Sequence, residues 1–161
     1  MGMALLNRGF LENRLGESEA AIASYDDAIR RFGDSPLPQL RLCVAMCLLN
    51  KGSTLVELES PESMDTAVAI WDDVIDHFGE DGDSDIQVQV RRALTKKAGA
   101  HMKMERRDAA VAAIDDAVAR YGTAERHDLR CEVATALELK AMILNQMGRG
   151  HEARSMRCSG S

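Results

Sequence analysis

Apolar residues in this chain fall at three- and four-residue steps, in blocks separated by short stretches of Gly, Ser, Asp and Pro. That period draws one apolar stripe along an α-helix. One fifteen-residue phrase carries it three times: EAAIASYDDAIRRFG at Glu19–Gly33, DTAVAIWDDVIDHFG at Asp65–Gly79 and DAAVAAIDDAVARYG at Asp108–Gly122. Each stripe opens on an alanine (Ala21, Ala67, Ala110) that lets another helix come close. A bulky residue four positions on (Tyr25, Trp71, Ile114) fills the space beyond it. The phrases close on Phe-Gly, Phe-Gly and Tyr-Gly, which predicts a glycine terminator in the left-handed conformation at Gly33, Gly79 and Gly122. The paired aspartates 26–27, 72–73 and 115–116 lie off the stripe and are expected to face water or a neighbouring cation.

A second helix is predicted ahead of each phrase, over Met3–Leu15, Leu40–Leu58 and Ile86–Met104. A fourth is predicted over Asp128–Met147, with a start that could lie a turn earlier on Thr123 as N-cap. Leu5, Leu48, Leu94 and Leu137 are separated by 43, 46 and 43 residues, and Gly9, Gly52, Ala98 and Ala141 repeat those intervals. Ala21, Ala67, Ala110 and Ala153 follow at 46, 43 and 43. The three extra residues therefore lie between Gly52 and Ala67, where Ser60 and Pro61 read as an N-cap and a first helical position. Helix pairs at such a period cannot each bury an apolar face alone, so they stack on their neighbours. The expectation is seven helices and a stub, Gly150–Arg157, in a single domain over residues 3–157. Its repeats run over about 3–33, 36–79, 84–122 and 124–157, the last truncated. Met1-Gly2 and Ser159–Ser161 are set aside as foreign to the fold.

These residues resemble the tetratricopeptide repeat family, whose signature is W-x2-L-G-x2-Y…A-x3-F…P. Ala21-x3-Tyr25, Ala67-x3-Trp71 and Ala110-x3-Ile114 match its A-x3-F portion, and Gly9, Gly52, Ala98 and Ala141 its small residue. Leu5, Leu48, Leu94 and Leu137 stand at the tryptophan position. Arg8, Lys51, Lys97 and Lys140 replace the family's leucine, Glu12 and His101 its tyrosine, and the closing proline is missing. The period of ~43 exceeds the family's ~34 and fits longer first helices. The resemblance implies an all-α fold, an αα-superhelix of antiparallel helix pairs whose first helices line a concave groove. It implies a non-catalytic scaffold that binds a peptide or partner protein there, without a cofactor. Carrying the family's groove positions across yields Asn13, Arg14, Leu49, Ser53, Val56, Thr95, Gly99, Met102, Lys103, Glu138, Met142 and Asn145. An extended or helical peptide with apolar anchors and an acidic residue would suit that surface. Self-association through the open terminal repeats is the second reading, and a small-molecule sensor the third.

Composition narrows the classes. A net charge of −6 speaks against a nucleic-acid partner, which calls for a basic face. Nothing approaches the ~18–20 apolar residues of a membrane span. Met1–Phe10 lacks the charged flank and apolar core of a secretory signal. Cysteines 43, 47, 131 and 158 have no framework spacing and read as reduced, mostly buried thiols of a cytoplasmic protein. The acidic run Glu80–Asp85 misses the glycine and glutamate spacing of a calcium loop and reads as a turn capping the next helix. His127/Cys131 and Cys43/Cys47 are each half a zinc site with no second half beside it. No phosphate loop, Ser-His-Asp order or nucleophile elbow is present. The cations Arg8, Lys51, Lys97 and Lys140 are read as charge partners within and between repeats rather than a binding stripe. Trp71 is read as core, its indole reaching a backbone carbonyl.

Overall fold

The computed structural model describes residues 1–121 and 127–149, with side chains in the last helix from 137 onward. The described residues form an all-α chain: α1 Gly2–Arg14, α2 Ser18–Phe32, α3 Pro38–Glu57, α4 Pro61–Phe78, α5 Ser84–Lys103, α6 Arg107–Tyr121 and α7 His127–Gln146. No strand occurs among them. The stub Gly150–Arg157, the cap at Thr123 and the terminator at Gly122 lie outside the described residues. The chain divides into two compact units, Met1–Lys96 and Lys97–Ser161, the division falling inside α5.

In the first unit α1 packs on α2, α2 on α3, and α3 on both α4 and α1. Leu6 of α1, Ala21, Tyr25 and Ala28 of α2, and Cys43 and Cys47 of α3 form one buried cluster. In the second unit Ala98 and the α6 residues Ala110, Val111, Ala113 and Ile114 enclose Ile143 and Leu144 of α7. The phrase alanines are fully buried in all three copies. Their lack of bulk allows the close approach expected of them.

The predicted small residue and the bulky residue of the phrase meet. A Cβ built on Gly9 would lie 2.6 Å from Tyr25 Cε1, and one on Gly52 only 2.5 Å from Trp71 Nε1. The third pair is Ala98 and Ile114, both in the second unit's core. Glycine thus faces a ring twice, and alanine accompanies the smaller isoleucine. Trp71 Nε1 donates to the Leu49 carbonyl at 3.3 Å, so the buried indole keeps a partner. The three inserted residues lengthen the second helix of that pair: α4 has 18 residues where α2 and α6 have 15. Ser60 caps it as expected, its Oγ accepting from the Ser63 N–H at 3.1 Å ahead of Pro61.

The glycine terminators differ from expectation. Gly33 (φ −54°) and Gly79 (φ −59°) are right-handed. The Gly33 N–H still bonds the Ile29 carbonyl at 2.8 Å, and a Cβ there would lie 2.8 Å from that oxygen. Glycine is needed there for proximity, not for φ. At the end of α4 the Gln87 amide takes the strain of termination, donating to the carbonyls of Phe78, Gly79 and Asp81. The left-handed residues sit instead after the other set of helices: Gly16 (φ 81°), Glu59 (φ 55°), Glu105 (φ 57°) and Gly148 (φ 74°). Their intervals are again 43, 46 and 43. Glu17, Arg106 and Arg149 donate backbone N–H bonds five residues back, to Glu12, His101 and Leu144, which is the Schellman closure.

Candidate interaction site

The cations at the family's leucine position are built into the packing. Lys51 pairs with Asp26 at 2.6 Å, and Lys140 pairs with Asp115 at the same 25-residue offset. The second aspartate of each pair turns to its own helix: Asp27 accepts from Arg31 at 2.9 Å and Asp116 from Arg120 at 2.9 Å. These guanidiniums hold the Asp27 carboxyl below its ordinary range, the Arg31 hydrogen bond contributing most. One aspartate ties the helix to its successor and the other to itself. Arg8 differs: its Nε donates to Glu12 at 2.8 Å while its side chain remains 66% exposed. Glu12 also accepts from Ser24 Oγ at 2.6 Å, and the two donors hold its carboxyl low.

The groove positions fall out unevenly. In the first unit Asn13 Nδ2 donates to Glu57 Oε2 at 3.0 Å, joining the ends of α1 and α3. Arg14 is exposed, its guanidinium 6.0 Å from the Phe10 ring centre. Leu49 is a correction, because its side chain is buried and its carbonyl is taken by Ser53 Oγ and Trp71 Nε1. Ser53 is half-buried and returns its hydroxyl to the Leu49 carbonyl at 3.0 Å. Val56 is half-buried and Thr95 exposed. In the second unit Gly99, Lys103, Glu138, Met142 and Asn145 are exposed, and a Cβ on Gly99 would meet nothing within 4 Å. Met102 is half-buried against the core, which makes it more support than contact.

Phe10 was missed by the sequence reading. It is 49% exposed, as is Met142. It precedes Ser53 by 43 residues and so shares its register with Ser53, Gly99 and Met142. That register was the available signal.

Other features have structural roles. Asp83 Oδ1 accepts from the Asp85 and Ile86 N–H groups, capping α5, and Asp81 pairs with Arg41. The acidic run is therefore a cap and a tether. Cys43 and Cys47 are free, buried thiols. The Cys43 contact and burial push the Cys47 thiol up. Cys131, Cys158 and the His127 side chain lie outside the described residues. His101 is buried, and His77 is exposed with its ring edge-on to Phe78 at 4.7 Å. An open hollow of ≈ 490 Å³ is rimmed by Asp34, Asp73 and Asp76 over Val44, Leu48 and Phe78. His77 lines it beside these three carboxylates. Among the described residues no group of three or more His, Cys, Asp or Glu is placed to hold a metal, and no helix is long and apolar enough to cross a membrane.

No protein-family model, curated protein or solved structure matches this chain.

Proposed function

We propose that this chain is a non-catalytic interaction module of the tetratricopeptide kind, an αα-superhelix that binds a peptide or partner protein along α1, α3, α5 and α7. The observation that carries the reading is the contrast at one register: Phe10, Gly99 and Met142 stand exposed on helices whose opposite faces are core. The cations that could have formed a rival binding stripe, Lys51 and Lys140, are instead tied to aspartates of the preceding helices. The exposed set mixes apolar anchors with Arg14 and Lys103, so an acidic peptide with one or two apolar side chains is the fitting ligand. The buried free thiols Cys43 and Cys47 agree with a cytoplasmic setting.

A random-peptide display library panned on the purified chain tests this. Enriched peptides are expected to be acidic and to lose at least about tenfold in affinity on Lys103→Glu or Met142→Ala, a loss of about 1.4 kcal/mol. Both sites are exposed, so the fold is retained. Failure to enrich any peptide, or binding indifferent to both substitutions, overturns the reading.

A further inference from the structure

The second copy of the repeated phrase departs from the other two in its charges, and the departure lies on the rim of the open hollow of ≈ 490 Å³. The second aspartate of each pair occupies one register: Asp27, Asp73 and Asp116. Four residues on, α2 has Arg31 and α6 has Arg120, and each donates to that aspartate at 2.9 Å. In α4 that place holds His77, whose ring is turned edge-on to Phe78. Three residues on, α2 has Arg30, which also pairs with Asp27, and α6 has the neutral Ala119. In α4 that place holds Asp76. The arginines are thus absent from this face of α4, and a second carboxylate stands on it. Asp34, in the turn from α2 to α3, brings a third carboxylate to the rim. No side chain among the described residues pairs with Asp34, Asp73 or Asp76. Arg41, with its guanidinium 6.0 Å from the Phe78 ring centre, is taken by Asp81. The helix itself gains nothing from Asp76, because a carboxylate in the last turn of α4 opposes the helix dipole.

The floor of the hollow is apolar, made of Val44 and Leu48 of α3 and Phe78 of α4. This surface differs from the one in the proposed function. Val44 and Ser53 are nine residues apart on α3, about two and a half turns, so they face opposite ways. We infer that the hollow is a docking site for an arginine-bearing segment of a partner protein. Charge complementarity selects the occupant. The arginine stem lies along the apolar floor while its guanidinium offers five N–H donors to the three carboxylates of the rim. Among the described residues no group of carboxylates is placed to hold a metal, so a broad planar cation suits this rim better than a point charge. An open hollow does not enclose a small molecule, but it admits a side chain that another surface presents. A second copy of this chain carries the same net charge of −6 and is a poor source.

The probe is the peptide acetyl-Leu-Arg-Leu-amide, titrated against the full isotope-labelled chain by NMR. The same peptide with citrulline in place of arginine keeps the shape without the charge. Saturable shifts are expected on residues 33–34, 44–48 and 73–78. Affinity should fall at least about tenfold for the citrulline peptide, and equally for the arginine peptide on a chain carrying Asp73→Asn and Asp76→Asn. Asp76→Arg with His77→Arg rewrites α4 in the pattern of α2. It should abolish the shifts while raising the urea midpoint, which separates lost binding from a lost fold. All three substituted positions are exposed, and circular dichroism verifies the fold of each variant. Absence of saturable shifts overturns the inference, as does equal binding of the citrulline peptide. Shifts on Gly99, Lys103 and Met142 in place of the hollow overturn it too. Sedimentation that shows a dimer dispersed by Asp76→Arg also overturns it, since the hollow would then belong to a second copy.

Discussion

Replacing Gly52 by alanine tests the packing account where it is most exposed to failure. By propensity alone the change should help, since alanine in a helix interior is worth about 1 kcal/mol over glycine. The geometry opposes this. The new Cβ would lie 2.5 Å from Trp71 Nε1 and 2.7 Å from Cε2, about 1 Å inside normal contact. The indole cannot step aside freely, because Trp71 is 2% exposed and its N–H is held by the Leu49 carbonyl at 3.3 Å. Overpacking costs about 1–3 kcal/mol, and stranding a buried donor about 1–3 more. Set against the propensity gain, the net loss is roughly 3 kcal/mol. Urea denaturation followed by the fluorescence of the sole tryptophan reads it directly. The first repeat supplies a sharper form. Gly9→Ala with Tyr25→Ile rebuilds the Ala98–Ile114 pairing, so the double variant should be at least about 1 kcal/mol more stable than the sum of the single changes implies. A neutral or stabilising Gly52→Ala, or strict additivity at Gly9 and Tyr25, would refute the reasoning.

Three further outcomes follow from backbone angles and burial. Glu105→Gly relieves a side chain from φ 57° and should raise stability by about 0.5–1 kcal/mol in the same urea assay, whereas Gly16→Ala should lower it by about 1 kcal/mol. Burial, reinforced by Cys47, Glu57 and Glu12, pushes the Tyr25 hydroxyl up from 10.0 to about 12. The folded chain therefore holds its proton where the unfolded chain releases it. Stability should be unaffected by this group below pH 10 and fall by about 2 kcal/mol as pH rises towards 12, a slope that Tyr25→Phe removes.

Much of the fold was legible because the informative residues recur. The described helices begin and end within about two residues of the periodic blocks once Ser60 and Pro61 are taken as the start of α4. The Lys51–Asp26 and Lys140–Asp115 pairs were foreshadowed by cations and aspartates repeating in step. The turns were harder to read. Glycine at Gly33 looks like a left-handed terminator but stays right-handed, because what it avoids is a clash with the Ile29 carbonyl. The true left-handed register was hidden because glutamate occupies it at Glu59 and Glu105. The groove was legible only as a register. Periodicity places Leu49 on the right helix, but only the tertiary packing reveals that it is buried, while Phe10 at an equivalent position to Met142 remains exposed.

Amide hydrogen exchange of the chain saturated with an enriched peptide tests the proposed function most directly. The account predicts new protection on α1, α3, the end of α5 and residues 137–146 of α7, with α2, α4 and α6 unchanged. Protection concentrated on α2, α4 and α6 would contradict it.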